Sequence, residues 1–230
     1  MRYIFLFITL FSVTMTVDAQ KFNDLINLNR YAKENLTLSR PTKKENRIIF
    51  LGNSITEGWV RIRPQFFEDN NFVGRGISGQ TSSQLLSRFR NDVINLKPTA
   101  VVINIGTNDI AGNTGEYNAE FTLGNIKSMV DLSKANNIKV VLTSVLPAKR
   151  FAWNKDIEDA TTTITDLNKE IRNYAKNNKI LYIDYHSQLR DENNALKSNF
   201  GNDGVHPNEE CYRLMEEILI NSLTKAKIIK

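Results

Sequence analysis

Ser54 and His206 are the two side chains of this sequence best suited to carry out nucleophilic chemistry together. Ser54 follows the apolar run 47–51, at a predicted strand-to-helix turn near backbone N–H groups and the positive end of a helix dipole. A serine hydroxyl is a weak nucleophile until a neighbouring base removes its proton. Asp203 precedes His206 by three residues. A loop that turns back at Gly204 would place this carboxylate against one imidazole nitrogen and leave the other for Ser54, which predicts acyl transfer.

Each of these residues also has a structural interpretation that the sequence by itself leaves open. Serine is a common helix N-cap, so Ser54 could simply begin the helix that follows it. The stretch from Asp203 to His206 could likewise be a turn that caps the closing helix. The second histidine of the chain, His186, follows a strand end and is interpreted as a packing or surface residue. The pattern around Ser54 is not G-x-S-x-G, so the sharp elbow of the α/β-hydrolases is not predicted.

Two further polar blocks offer hydrogen-bond donors of the kind that a tetrahedral acyl intermediate needs. Asn108 follows a predicted buried strand in the run Gly-Thr-Asn-Asp, and its amide can donate into the crevice at the strand ends. Gly79, in the run Gly-Ile-Ser-Gly-Gln, can present a bare backbone N–H. Together with the N–H of Ser54, these groups predict an oxyanion hole. Asn and Gly are also ordinary turn residues, and Asp109 is expected to cap a helix or hold the loop.

The elements that must position these residues follow from an alternation of short apolar runs with amphipathic segments. Predicted strands, rich in apolar and β-branched residues, lie at 47–51, 71–73, 100–105, 138–144 and 180–184. Predicted helices lie at 54–60 with an extension at 64–69, and at 81–96, 119–135, 156–177 and 208–223. This order predicts an α/β protein, a three-layer α/β/α sandwich around a five-stranded parallel sheet. The polar blocks all follow strands and are therefore expected to converge at the carboxyl edge of the sheet.

The N-terminal residues have the pattern of an export signal. Arg2 is followed by a mostly apolar run at 3–14 and by the small residues of Val17-Asp18-Ala19, a pattern typical of cleavage after Ala19. The run is short for a membrane span of about 20 residues, although an uncleaved anchor is an alternative. The predicted organisation is a signal peptide at 1–19, an N-terminal region at 20–46 and one α/β domain at 47–230. The N-terminal region comprises a helix at 22–36 and a connector at 37–46. The mature protein is expected to be periplasmic or secreted, without stable membrane insertion.

Composition and charge exclude several other classes of protein. Of 230 residues, 41% are hydrophobic and 24% are charged, which fits one packed domain and not a disordered chain. The net charge of +5 is spread over scattered Lys and Arg residues, so no nucleic-acid partner is predicted. The single cysteine, Cys211, provides neither an internal disulfide nor a cysteine framework for a metal. No G-x-G-x-x-G run follows a strand, which argues against a dinucleotide cofactor.

Taken in order, the polar blocks resemble those of the SGNH (GDSL-type) hydrolases, from about Arg47 to the final helix. The family is named for its Ser, Gly, Asn and His residues, and the matching positions are Ser54, Gly79, Asn108 and His206. Asp203 matches the family's acid, three residues before the histidine. The resemblance implies a flavodoxin-like sandwich in which Ser54 attacks an ester, with His206 as base and Asp203 as its orienting acid. It also implies an oxyanion hole from Ser54, Gly79 and Asn108, and no metal or cofactor.

The nucleophile block departs from the family pattern at one position. Asn53 stands where the family's G-D-S has Asp, which keeps the shape of the side chain and removes its charge. Because this residue is not the family's catalytic acid, activity is expected to survive. The runs 51–59 (LGNSITEGW), 144–147 (SVLP) and 203–208 (DGVHPN) are most similar to exported bacterial members that resemble platelet-activating-factor acetylhydrolase and carbohydrate acetylesterases.

Three aromatic residues near the predicted site are candidate substrate contacts: Trp59, Phe151 and Trp153. Such rings could stack on a sugar or line an acyl pocket, and packing in the core is the alternative. With the export pattern, they favour an esterase that removes short acyl groups, acetyl above all, from a small-molecule or glycan ester. Two alternatives stay open: a lysophospholipase or thioesterase for longer acyl chains, and a non-catalytic glycan-binding protein on the same fold.

Overall fold

The computed structural model describes residues 19–42 and 45–229, which fold around a sheet whose neighbouring strands are all parallel. The strands are β1 (Ile48–Gly52), β2 (Phe72–Gly76), β3 (Ala100–Asn104), β4 (Lys139–Thr143) and β5 (Leu181–Ile183). Their order across the sheet is β2-β1-β3-β4-β5, so β1 and β3 both have a strand on each side. The predicted α/β fold with a five-stranded parallel sheet is confirmed.

The helices of the described residues include several of only one or two turns. They are α1 (Ala19–Ile26), α2 (Ala32–Thr37), α3 (Ser54–Ile62), α4 (Pro64–Asp69), α5 (Ser82–Asp92), α6 (Thr107–Ile110), α7 (Ala119–Ala135), α8 (Thr161–Asn177), α9 (His186–Leu189) and α10 (Glu209–Lys225). The short helices α6 and α9 were not expected from the sequence pattern. No helix in the described ranges is both long and apolar enough to cross a membrane.

Each face of the sheet carries its own hydrophobic core, because successive side chains of a strand point to opposite sides. Ile49 and Leu51 of β1 pack with residues of α5, α7 and α8 on one face. Ile48 and Phe50 pack with residues of α3, α4 and α10 on the other face. Strands β1 and β3 are buried at every position, as expected for interior strands of a parallel sheet that helices cover on both faces. The three-layer arrangement follows directly from this alternation.

Two predicted helices differ in the structure for local reasons. The helix predicted at 22–36 is divided, because Asn27 has a left-handed backbone conformation (φ 50°) directly after α1 ends. The helix predicted at 156–177 begins only at Thr161. The Asp159 carboxylate accepts hydrogen bonds from the Thr161 N–H and hydroxyl, and these local bonds fix a turn where the helix was expected to continue.

The N-terminal helices pack against the edge of the sheet and are hydrogen-bonded to the segment after β2. The Tyr31 hydroxyl donates to the Gly76 carbonyl, and the Gln80 side-chain amide donates to the Ile26 carbonyl. These bonds fasten the two ends of the segment that contains Gly79.

The signal peptide predicted at 1–19 lies outside the described residues except for Ala19, so it stays a prediction. The boundary predicted between the N-terminal region (20–46) and the α/β domain (47–230) also stays a prediction.

Candidate active site

Two glycines allow helix α3 to begin directly at the carboxyl edge of the sheet. A Cβ on Gly52, at the end of β1, would lie 2.1 Å from Thr56 Oγ1, and one on Gly76, at the end of β2, would lie 2.2 Å from the Glu57 backbone nitrogen. Only glycine leaves room for the first turn of α3 between these strands. Ser54 is the first residue of α3 and therefore lies at the edge where the strands end.

Asn53 caps the helix that carries the serine. Its Oδ1 accepts a hydrogen bond from the Ile55 backbone N–H at 3.0 Å. The side chain is buried, and its Nδ2 has no hydrogen-bond partner within the part of the chain that is described. Asn53 thus supplies the capping bond that an aspartate would supply, without adding a negative charge at the positive end of the helix.

A continuous row of hydrogen bonds links the side chains of Ser54, His206 and Asp203. Ser54 Oγ lies 2.9 Å from His206 Nε2, and His206 Nδ1 lies 2.6 Å from Asp203 Oδ2. With the imidazole proton on Nδ1, where the carboxylate accepts it, Nε2 is free to accept a proton from the serine. The structure therefore brings together the three residues that the sequence predicts as nucleophile, base and acid, in the geometry that those roles need.

The carboxylate of Asp203 is fixed in place by its own loop. Its Oδ1 accepts backbone hydrogen bonds from Val205 N–H at 2.9 Å and His206 N–H at 2.8 Å. Gly204 allows the tight turn with a φ of 73°. Partial burial raises the pKa of Asp203, but the bonds from the His206 backbone, the His206 ring and the Val205 backbone outweigh it and hold the pKa below its usual value. The acid is consequently ionised at neutral pH.

The three predicted oxyanion donors lie after β1, β2 and β3. In the described residues, no hydrogen bond uses the backbone N–H of Ser54 or of Gly79, whose φ of 77° is left-handed. Asn108, buried in α6, donates one Nδ2 hydrogen to the Gln80 carbonyl at 3.0 Å. An amide nitrogen carries two hydrogens, so one remains for a ligand. These residues thus have donors available, and their joint action on one oxygen stays a prediction.

Arg88, which was not predicted from the sequence, bridges the carboxyl ends of β1 and β2 by hydrogen bonds. It is fully buried, and its guanidinium donates to the Gly52 carbonyl at 3.0 Å, the Arg75 carbonyl at 2.9 Å and Gln80 Oε1 at 2.6 Å. Burial lowers its pKa, and an ion pair with Asp92 at 2.8 Å opposes this effect. The signal in the sequence is an arginine on the same side of a predicted helix as its apolar residues.

Glu57 is a second supporting residue that was not predicted. Its carboxylate accepts hydrogen bonds from the Ser78 backbone N–H at 3.0 Å and from the Ser78 hydroxyl. Arg30 of the N-terminal segment lies 3.5 Å from the other carboxylate oxygen. Because Ser78 directly precedes Gly79, Glu57 helps to fix the loop that presents the glycine N–H.

Asp109 holds a loop, as expected. It accepts hydrogen bonds from the backbone N–H and hydroxyl of Ser82, at the start of α5, and from the hydroxyl of Thr122. Burial raises its pKa, and the bonds from Ser82 oppose that rise.

The prediction that Trp59 contacts substrate is wrong. Its side chain is only 3% exposed and lies among aromatic rings, stacked on Phe66 at 5.9 Å and on Tyr212 at 5.5 Å between centroids. The indole N–H donates to Glu216 Oε1 at 3.2 Å. Trp59 is a core residue that packs α3 against α4 and α10.

The two aromatic residues after β4 have different positions. Phe151 is 1% exposed and packs in the core, so the prediction that it contacts substrate is also wrong. Trp153 is 46% exposed, and its ring centroid lies 6.2 Å from that of His206. Phe151 supports it at 5.2 Å between centroids, and Asn113 Oδ1 accepts its indole N–H at 2.9 Å. Of the three predicted aromatic contacts, Trp153 is at the site and is held in a fixed orientation.

The row of side chains opens onto a cavity of about 340 Å³. Its lining comprises Ser54, Glu57, Gly58, Arg61, Ile62, Ser78, Asp203, His206, Pro207 and Tyr212. His186 is elsewhere, buried after β5 at the far edge of the sheet, and burial lowers the pKa of its imidazole. Across residues 19–42 and 45–229, no group of three or more His, Cys, Asp or Glu side chains is placed to hold a metal.

Fold and site together define an α/β/α hydrolase whose serine and histidine meet at the carboxyl edge of a parallel sheet. The chain belongs to the GDSL-like lipase/acylhydrolase family, whose model matches residues 50–214. This range contains Ser54, Gly79, Asn108, Asp203 and His206. The family resemblance predicted from the sequence is confirmed.

Similar proteins of known structure agree with this assignment. The crystal structure of a GDSL-like lipase from Bacteroides thetaiotaomicron VPI-5482 is 55% identical, covers 87% of this chain and 98% of that chain, and has a TM-score of 0.86. The crystal structure of an acylhydrolase from Bacteroides fragilis NCTC 9343 is 52% identical, covers 87% of this chain and 97% of that chain, and also has a TM-score of 0.86. Among curated proteins, an acetylxylan esterase of Xylanibacter ruminicola is 26% identical over an alignment that covers 79% of this chain. The chain spans only 44% of the length of that esterase.

Proposed function

We propose that this protein is a serine esterase that removes short acyl groups, acetyl in particular, from carbohydrate esters outside the cytoplasm. The observation that carries the proposal is the row of hydrogen bonds from Ser54 through His206 to Asp203, at 2.9 and 2.6 Å. A serine, a histidine and a carboxylate in this geometry can activate a hydroxyl for attack on an ester carbonyl.

Acylation begins when Ser54 Oγ attacks the carbonyl carbon of the ester and His206 Nε2 takes the hydroxyl proton. The carbonyl π electrons move to its oxygen, which becomes the oxyanion of a tetrahedral intermediate. When the intermediate collapses, the bond to the alcohol breaks and His206 gives its proton to the departing sugar oxygen. The products of this half-reaction are the free sugar hydroxyl and an acyl ester on Ser54.

Deacylation repeats these steps with water as the nucleophile. His206 takes a proton from water as the water oxygen attacks the acyl carbon, and returns it to Ser54 Oγ as that bond breaks. The acid leaves and the serine is restored. Throughout, Asp203 accepts from Nδ1, which keeps the ring in the required tautomer and stabilises its charged form.

The oxyanion is proposed to bind the N–H groups of Ser54 and Gly79 and the second Nδ2 hydrogen of Asn108. The two backbone donors have no partner among the described residues, and Asn108 is held in place by its bond to Gln80. Because these donors are fixed before the substrate arrives, they stabilise the developing charge without reorganising.

Two features favour a short acyl group on a sugar. The cavity at Ser54 measures about 340 Å³ and has charged side chains, Glu57 and Arg61, in its wall, which suits a short acyl chain better than a long alkyl chain. The exposed ring of Trp153, beside His206, offers a face on which a sugar can stack. The similarity to an acetylxylan esterase supports the same substrate class.

Export is part of the proposal, because a polymeric glycan is met outside the cytoplasm. The apolar run at 3–14 and the small residues at 17–19 are the support for it.

The test compares three substrates: p-nitrophenyl acetate, p-nitrophenyl octanoate and acetylated xylo-oligosaccharides. We expect hydrolysis of the acetate and of the oligosaccharides, and loss of nearly all activity in Ser54→Ala. Ser128→Ala is the matched control, because Ser128 is an exposed serine on α7 that bonds only the Gly124 carbonyl. A clear preference for octanoate would favour a lipase or thioesterase. Equal rates in Ser54→Ala and wild type would reject Ser54 as the nucleophile.

A further inference from the structure

A second and larger cavity lies beside the cavity at Ser54, which is called the catalytic cavity below. The second cavity measures about 730 Å³ and is formed by the N-terminal segment 30–38, α3, α4 and β2. Its wall includes Arg30 and Glu34 of the N-terminal segment, Glu57, Val60 and Arg61 of α3, and Glu68 of α4. Glu57 and Arg61 line both cavities, so the two adjoin along this edge of α3.

Arg61 is the residue at this junction that has capacity to bind a ligand. Glu57 is already occupied by Ser78 and Arg30. In contrast, the exposed guanidinium of Arg61 makes no hydrogen bond or ion pair with any described residue. A guanidinium has five N–H donors in a planar fork, which suits the adjacent hydroxyls of a sugar.

We propose that the glycan that carries the acyl ester extends from the catalytic cavity past Arg61 into this second cavity, which is a subsite for neighbouring sugar units. The inference rests on the proposed carbohydrate esterase function and deepens it, because it assigns the substrate as an oligomer and not a single sugar. Arg61 is a specificity residue at the junction.

The composition of the second cavity fits a sugar chain. Val60, which is partly exposed, contributes apolar surface against which the C–H face of a sugar ring can pack, and the buried rings of Phe67 and Phe72 lie behind this surface. Charged groups accompany it, with Arg30 and Glu34 on one wall and Glu68 on α4. Carboxylates accept hydrogen bonds and guanidinium groups donate them, so such a wall can bond the hydroxyls of a sugar chain.

The N-terminal segment supplies one wall of this subsite. Arg30, Tyr31, Glu34 and Leu38 all precede residue 50, where the match to the family model begins. The proposed subsite is therefore built partly from a segment that lies outside the range matched by the family model.

The experiment measures kcat/KM of Arg61→Ala and Glu68→Ala on p-nitrophenyl acetate and on acetylated xylo-oligosaccharides of two and six sugars. The quantity of interest is the ratio of the oligosaccharide value to the aryl acetate value. We expect Arg61→Ala to lower this ratio about tenfold, since it removes charged hydrogen bonds. Glu68→Ala should lower it for the six-sugar substrate more than for the two-sugar substrate. Arg90→Ala, an exposed arginine on α5 outside both cavities, is the charge-matched control.

The outcomes separate this inference from the function on which it rests. If wild type cleaves the oligosaccharides and neither ratio changes in Arg61→Ala and Glu68→Ala, the subsite is refuted and the esterase function stands. If wild type cleaves the aryl acetate but none of the oligosaccharides, both the carbohydrate substrate and the subsite are refuted. A loss in Arg90→Ala equal to that in Arg61→Ala would assign the effect to net charge and would also refute the subsite.

Discussion

Replacement of Asp203 by asparagine separates the chemical role of this residue from its structural role. In the wild type, Asp203 Oδ1 accepts the N–H groups of Val205 and His206, while Oδ2 accepts Nδ1 of the ring. The two backbone donors fix the orientation of an introduced amide, because its oxygen must face them. Its NH₂ group would then donate to His206 Nδ1, which forces the ring proton onto Nε2. A protonated Nε2 cannot accept from Ser54.

The expected loss in kcat is large because the variant removes both the correct tautomer and the charge that stabilises the imidazolium. The corresponding Asp-to-Asn change in the catalytic triad of a serine protease lowers kcat about 10⁴-fold. Asp203 is about half exposed, and water screens its charge, so we expect a smaller loss of about 10³-fold. At 1.36 kcal/mol for each factor of ten, this corresponds to about 4 kcal/mol of barrier.

The assay is steady-state hydrolysis of p-nitrophenyl acetate, with thermal unfolding measured beside it. Asp191→Asn is the matched control, because Asp191 Oδ1 also accepts two backbone N–H groups, from Asn193 and Ala195, but has no histidine beside it. We expect near wild-type turnover in that control and similar melting temperatures in both variants. Turnover of Asp203→Asn within tenfold of wild type would refute the tautomer argument.

Two further variants test the donors and the N-terminal segment. Asn108→Ala should lower kcat on p-nitrophenyl acetate by about 10² to 10³-fold if its amide binds the oxyanion, and a loss of only a few-fold would contradict that role. Tyr31→Phe should reduce stability in urea by about 1 kcal/mol and lower kcat several-fold, because the Gly76 carbonyl loses its donor and the Gly79 loop loosens. An unchanged kcat would show that the N-terminal segment does not hold that loop in its active geometry.

The sheet and the polar residues at its carboxyl edge could be predicted from the sequence, because each depends on a short-range pattern. Runs such as 48–52 and 100–104 are apolar throughout, since both faces of the sheet are covered. Parallel strands end at the same edge, so the residues that directly follow the neighbouring strands β1, β2 and β3 come together there. His206 comes after β5, at the far edge of the sheet, so its meeting with Ser54 was predicted from its spacing to Asp203 and from the family resemblance.

The network beneath the site could not be predicted, because it depends on contacts between distant backbone groups. Arg88 bonds the carbonyls of Gly52 and Arg75, and no local pattern shows which carbonyls lack a partner at the end of a strand. A buried arginine is tolerated here because carbonyls, Gln80 and Asp92 surround it. The docking of the N-terminal helices onto the Gly79 loop is equally non-local.

The wrong prediction that Trp59 contacts substrate has a different cause, because the periodicity of α3 already indicates that Trp59 lies in the core. Residues four apart lie on one side of a helix, and Trp59 is four residues after Ile55, which is buried in the same cluster. Ser54, Glu57 and Arg61 fall on the side that faces the two cavities. A helix that begins at the sheet edge must pack one side on the core. Its aromatic residue is therefore expected on the core side, and its charged residues are expected on the side that faces solvent and ligand. The same periodicity that removes Trp59 from the substrate site places Arg61 at the junction where the glycan is proposed to pass.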